Sequence, residues 1–133
     1  MEPSRLAEIP LFAALGNAQL AEIAAVAVEA EAAEGETIAT QGELGHALFA
    51  IESGTVEVTA NGDLVSTLGA GDVFGEIAVI AAGVRMASVV ATSPVRLIGL
   101  STRDVLALER RSPQTYAHLL DLMNKRTAEL GKR

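Results

Sequence analysis

Hydrophobic and polar positions follow two rhythms along this chain, helical at both ends and strand-like between. Residues 5–15, RLAEIPLFAAL, combine a short helical lead-in, a turn at Pro10 and an apolar anchor of Leu11, Phe12 and Leu15. From Asn17, a residue suited to capping a helix, Leu20, Ile23, Ala24 and Ala27 recur at helical spacing. That spacing predicts a helix fading at Glu34-Gly35, so that residues 1–34 form a helical lead-in. From Glu36 to Leu100, glycines punctuate short runs of β-formers. Ala47–Ile51, Val56–Thr59, Leu64–Leu68, Ala87–Ala91 and Val95–Leu100 are the predicted strands. Asn61-Gly62, between Val58 and Leu64, predicts a tight hairpin because both residues tolerate positive φ. Many short strands joined by glycine turns predict an antiparallel barrel or jelly roll over residues 36–100.

Helix returns at Ser101, which with Asp104 resembles a capping box ahead of Val105, Leu106 and Leu108. A sharper start follows, with Ser112 as cap and Pro113 in the first helical position. Tyr116, Leu119, Leu120, Leu122 and Met123 then line one broad face as far as about Leu130, so the C-terminal helices cover 101–130. No internal repeat or low-complexity linker interrupts the pattern. A length of 133 residues predicts a single domain, 1–133.

Composition narrows the classes of function. Aromatic residues are 3% of the chain, which leaves no set of rings for stacking exposed bases. The net charge of -7 is unevenly spread. Up to Thr102 the basic residues are Arg5, Arg85 and Arg96, against thirteen acids; from Arg103 onward seven basic residues face four acids. The first hundred residues therefore repel DNA and anionic membranes, and neither direct DNA binding nor membrane insertion is expected. The basic tail reads as a solvated helix face. There is no cysteine, and no apolar run has the length of a signal or a span, so a cytoplasmic location is expected.

Ordinary catalytic chemistry finds no support. The two histidines, His46 and His118, lie in different elements, so no metal site is predicted. No cluster marks an activated nucleophile, and no GxxxxGK[ST] sequence is present to hold a nucleoside triphosphate. The chain is therefore expected to bind rather than to catalyse.

One segment is chemically distinctive, G71-D-V-F-G-E-I-A-V-I-A-A-G-V-R-M-A-S88. Gly75 precedes a short helical turn, Ile77–Ile80, whose first amide N–H groups have no internal acceptor and suit an anion. Arg85 is the only basic residue between Leu6 and Val95. A guanidinium can grip a phosphate with two parallel hydrogen bonds. Glu76 is the only acid between Val73 and Thr92, and a carboxylate there can accept from a sugar hydroxyl. The residues alone leave two readings: a phosphate-plus-hydroxyl site, or a structural Glu76–Arg85 ion pair with Phe74 as a core anchor.

Three motifs in order, I9-P-L-F-A-A-L15, the stretch from Ile38 to Gly54 (IATQGELGHALFAIESG), and FGEIAVIAAGVRMASV from Phe74 to Val89, resemble those of the cyclic nucleotide-binding domain family. The resemblance runs from about Ile9 through Met123. It implies a mainly β fold with flanking helices, a double-stranded β-helix or jelly-roll-like β-roll, with residues 71–88 as a phosphate-binding cassette. It implies that Gly75 and Glu76 meet the ribose, with the Glu76 carboxylate on the 2′-hydroxyl, and that Arg85 pairs with the cyclic phosphate. The amides of Ile77, Ala78 and Ala87 complete the cradle, and the last helix, around Leu119 to Met123, approaches the base as a lid. Met86 follows the arginine where many relatives carry alanine, serine or threonine. It offers no hydroxyl, which argues against guanine and favours cAMP over cGMP. Val84 departs from the family's usual proline or arginine, and Ala39 and Ala50 soften the barrel without touching the site. The implied function is a regulatory sensor whose C-terminal helix closes on the nucleotide and acts on an effector domain or partner protein. It needs no cofactor. The alternative is a nucleotide-free scaffold or homodimer, with Leu119, Leu120 and Met123 buried against a partner and Glu76 satisfying Arg85.

Overall fold

The computed structural model describes residues 1–131. Two short turns lead in: α1 (Pro3–Leu6) and a 3-10 turn at Pro10–Phe12. Each carries proline in its first turn, where a missing N–H leaves no helical bond unmade. Helix α2 (Asn17–Val26) follows. Its cap is Gly16 rather than Asn17, and the Gly16 N–H donates to Gln19 Oε1 at 3.4 Å.

The helix expected to reach Glu34 stops at Val26, and residues Val28–Ala32 form strand β1 instead. Glu29 and Glu31 are exposed, whereas Ala30 and Ala32 turn inward with a period of two. Alanine and glutamate favour helices in isolation. Antiparallel pairing with β8 (Val95–Ser101) overrides that preference here.

The remaining strands are β2 (Thr37–Ala39), β3 (Ala47–Ser53), β4 (Val56–Ala60), β5 (Asp63–Leu68), β6 (Val73–Phe74) and β7 (Ser88–Ala91). Five strands coincide closely with the predicted runs; β1, β2 and β6 have no counterpart among them. Among the described residues the eight strands form two antiparallel sheets, ordered β1-β8-β3-β6 and β2-β7-β4-β5. The β4–β5 hairpin turns at Asn61 (φ 54°) and Gly62 (φ 83°), and Ala60 pairs with Asp63 across it.

The first sheet is a wall shared by two cores. On one face Leu48 and Ala50 of β3, with Ile98 and Leu100 of β8, pack against Phe12 and the helices. On the other, Ile51, Val95 and Leu97 meet Val56, Val89 and Ala91 of the second sheet. Each large side chain so withdrawn from water contributes about 1.5–3 kcal/mol. Two helices then close the helical side. In α3 (Thr102–Arg111) the Ser101 Oγ accepts the Asp104 N–H at 3.2 Å. Helix α4 (Pro113–Gly131) starts on Pro113, after Ser112, whose hydroxyl donates to Thr115 Oγ1 at 2.9 Å.

Arg5 ties the lead-in to the roll. Its Nε donates to Glu52 Oε2 at 2.7 Å, and its Nη2 reaches Glu29. The hydrogen bonds from Arg5 hold the Glu52 carboxyl below its ordinary 4.5, against a smaller opposing effect of burial. A carboxyl lowered in the folded state stabilises above its unfolded pKa and loses that contribution as pH falls through the folded value. The melting-temperature advantage of the parent over Arg5→Ala is therefore expected to be full at neutral pH and to shrink below pH 4.5. An advantage that stays constant in thermal melts down to about pH 3 would contradict this pairing.

Candidate ligand-binding site

The site is built where β6 hands the chain to β7. Gly75 adopts φ +91°, a conformation that glycine takes without steric strain. A short π-helical turn, Ala78–Ala82, follows and ends at Gly83 (φ +72°), whose N–H donates to Ala78 O at 2.8 Å. The wide last turn brings the chain back so that Arg85 faces the start of the same segment.

The loop between β2 and β3 holds Arg85 in place. Arg85 N–H donates to Glu43 O at 2.7 Å, Gly42 N–H to Arg85 O at 2.8 Å, and Gly45 N–H to Gly83 O at 3.0 Å. Two glycines make room for the side chain. A Cβ on Gly45 would stand 2.9 Å from Arg85 Nε and 2.6 Å from Ala78 Cβ; one on Gly75 would stand 2.5 Å from Arg85 Nη1. The guanidinium carbon lies 5.9 Å from the centre of the Phe49 ring, and Phe49 pairs across the strands with Phe74, ring centres 5.5 Å apart. Among the described residues, Arg85 Nη1 is buried and has no hydrogen-bond partner. Burial lowers the Arg85 pKa from its ordinary value, and the negative charge of Glu76 partly opposes that.

Glu76 does not supply an acceptor to Arg85 Nη1. Its carboxylate is almost fully buried, and its ion pair is with Arg126 of α4, not with Arg85. The structural reading that joined Glu76 to Arg85 is thereby replaced.

Gly75, Glu76, Ile77 and Ala78 on one side, with Arg85, Met86 and Ala87 on the other, line one cavity of about 80 Å³. Its apolar wall comes from Val58, Val65 and Leu68 of the second sheet, with Phe74, and Ser66 adds a hydroxyl. Arg126, Glu129 and Leu130 of α4 cover it. A larger groove of about 490 Å³ runs between α2 and α3, where Arg111 already pairs with Glu22 at 3.3 Å. Among the described residues no three His, Cys, Asp or Glu side chains gather to hold a metal ion.

Three expectations change. Leu119 and Met123, expected to approach the base, do not line the cavity, and Leu119 is wholly enclosed in the helical core. Enclosure within its own chain also removes Leu119 from any dimer surface. The lid positions lie one to two turns further on, because α4 first packs on α3 and the Pro10–Phe12 turn. Arg126, assigned to a solvated basic face, is instead turned inward to Glu76; its spacing of seven from Leu119 placed it on the same helical face. Ala39, expected to lie away from the site, lines the cavity.

Comparison with known proteins follows the same segment. Residues 29–112 match the family model described as the cyclic nucleotide-binding domain. The chain is 39% identical over 101 residues to the cyclic AMP receptor protein of Thermus thermophilus, covering 72% of this chain and 47% of that protein. It is 38% identical over 109 residues to a cyclic nucleotide-gated potassium channel of Rhizobium etli, covering 82% of this chain and 30% of the channel. The chain thus spans 30% to 47% of the length of these relatives. Among solved structures, the Thermus thermophilus catabolite activator protein superposes with a TM-score of 0.78 at 33% identity, over 90% of this chain and 59% of that one.

Gly75→Ala would place a Cβ 2.9 Å from Ala47 O in a left-handed backbone. The expected result in urea unfolding is a stability loss of about 2 kcal/mol or more. A loss below about 0.5 kcal/mol, the range of ordinary surface substitutions, would show that the turn adapts.

Proposed function

This chain belongs to the cyclic nucleotide-binding domain family, and we propose that it is a regulatory sensor that binds a cyclic nucleotide without making or breaking a bond. The single observation that carries the reading is Arg85 Nη1, buried and unpartnered at the mouth of the cassette. A guanidinium N–H withdrawn from water without an acceptor is costly, and a cyclic phosphate relieves it with one negative charge and two acceptor oxygens. In a scaffold that bound nothing, Glu76 would be the natural partner of Arg85; its engagement with Arg126 favours the sensor.

In the proposed complex the phosphate lies on Arg85 and the amides of Ile77, Ala78 and Ala87. The ribose 2′-hydroxyl donates to Glu76. The base lies between the apolar wall of Val58, Val65 and Leu68 and the end of α4, which closes over it. cAMP is favoured over cGMP, because Met86 brings no hydroxyl to a guanine. The adenine amino group has acceptors within the cavity in Ser66 and Glu129. Among the described residues no helix is long and apolar enough to cross a membrane. We assign the sensor to the cytoplasm, acting on an effector domain or a partner protein.

Calorimetric titration tests the reading. cAMP is expected to bind with micromolar or tighter affinity, and more tightly than cGMP. Arg85→Ala should weaken it at least about tenfold, roughly 1.4 kcal/mol. Absence of heat and of thermal stabilisation with either nucleotide would return the scaffold reading. Glu76 has its own test: in Glu76→Ala the preference for cAMP over its 2′-deoxy analogue should disappear, and an unchanged ratio would contradict the assigned role.

A further inference from the structure

We propose that Phe49 is a positioning residue for the Arg85 guanidinium, and that Gly99, on the neighbouring strand, fixes where the Phe49 ring stands. The four strands of the first sheet carry one row of residues in register: Val28 on β1, Gly99 on β8, Phe49 on β3 and Phe74 on β6. Glycine inside a sheet leaves a gap on the pleated face, and an aromatic neighbour can cover it. A Cβ on Gly99 would stand 3.2 Å from Phe49 Cε1 and 3.4 Å from Phe49 Cδ1. The ring thus rests against the bare backbone of Gly99, and it also meets Phe74, with ring centres 5.5 Å apart and a tilt of 32°.

Arg85 lies over this ring, its guanidinium carbon 5.9 Å from the ring centre. Backbone bonds hold the main chain of Arg85, but several rotatable bonds separate that anchor from the guanidinium. Nη1 has no hydrogen-bond partner among the described residues, so packing rather than hydrogen bonding sets that end of the side chain. Gly45 and Gly75 open the space that the guanidinium fills, and the Phe49 ring bounds it. Neither Phe49 nor Gly99 lines the cavity, so their effect on a ligand is assigned to Arg85. A phosphate that takes two parallel hydrogen bonds needs the guanidinium in one plane. A side chain already held in that plane loses less freedom when the ligand arrives. This effect on affinity rests on the sensor reading; the seat of Arg85 does not.

NMR on the chain without nucleotide tests the seat. In Phe49→Leu the order parameter of the Arg85 Nε–H is expected to fall by about a third, from the rigid to the flexible range. Phe49→Tyr, which keeps the ring, should retain the parent value. Gly99→Ala should move the Arg85 Nε–H resonance in the same direction as Phe49→Leu does. Ile51→Val, which removes volume from a wholly buried position of the same strand, should leave Arg85 unchanged. An Arg85 signal unmoved in Phe49→Leu, or loosened equally in Ile51→Val, overturns the seat; one unmoved in Gly99→Ala overturns the part given to Gly99. In cAMP titrations Phe49→Leu is expected to bind about threefold more weakly than the parent, and Phe49→Tyr as the parent does. On an Arg85→Ala background, Phe49→Leu should cost nothing further. A loss of the same size on that background, or unchanged affinity in Phe49→Leu itself, overturns the positioning role. If the parent binds no nucleotide, the sensor reading and the effect on affinity fall together, and the order parameter alone decides the seat.

Discussion

A guanidinium held half out of water with no carboxylate against it is the constraint around which this chain is organised. Withdrawing a guanidinium N–H from water without an acceptor costs about 1–3 kcal/mol. Arg85 is held by its surroundings without a carboxylate hydrogen-bonded to Nη1 among the described residues. Backbone bonds from residues 42–45 fix its main chain, Gly45 and Gly75 yield the space for its side chain, and the ring of Phe49 faces its guanidinium carbon. At 5.9 Å, close to the outer limit of such contacts, the ring contributes about 0.5–1 kcal/mol. The missing element is an acceptor at Nη1, and a phosphate matches it in charge and geometry.

The same arrangement explains how the site can communicate with the helices. The first sheet presents one face to the roll and the other to α2, α3 and α4. Phe74 packs inside the roll, while its neighbour Val73 belongs to the helical core. From the cassette turn, Val79 enters that helical core, alongside Val105 of α3 and Leu119 of α4. In the proposed sensor, a change in the seat of Arg85 would reach α3 and α4 through these packed side chains. Coupling of this kind needs an element with two arrangements, and the proposed function assigns that role to the lightly anchored end of α4.

Much of the roll was legible because glycine punctuation and β-branched runs are local signals. The Asn61-Gly62 hairpin, five strands and the Ser101 cap can all be read within a window of ten residues. The cassette was legible for a different reason: Arg85 and Glu76 are isolated charges in a long neutral stretch, and the motifs around them resemble a known family. What remained hidden depended on partners distant in sequence. Strand β1 is written in alanine and glutamate, and only its pairing with β8 makes it a strand. Arg126 sits in a basic tail that composition assigns to solvent, and its partner lies fifty residues earlier. Leu119 and Met123 occupy the apolar face as expected, yet that face is consumed by α3 and the Pro10–Phe12 turn before it reaches the cavity. The function of the loop before β3 as a clamp on Arg85 was also invisible, since backbone hydrogen bonds leave no mark in side-chain pattern.

The most direct test of the central claim is a ¹⁵N NMR titration of the chain with cAMP, following the amides and the Arg85 side-chain Nε–H together. A phosphate seated on Arg85 should shift that Nε–H and the amides of Gly75 to Ala78 and Ala87 with one common saturation curve. Shifts confined to the groove between α2 and α3, or an Arg85 signal that does not move while others saturate, would contradict it.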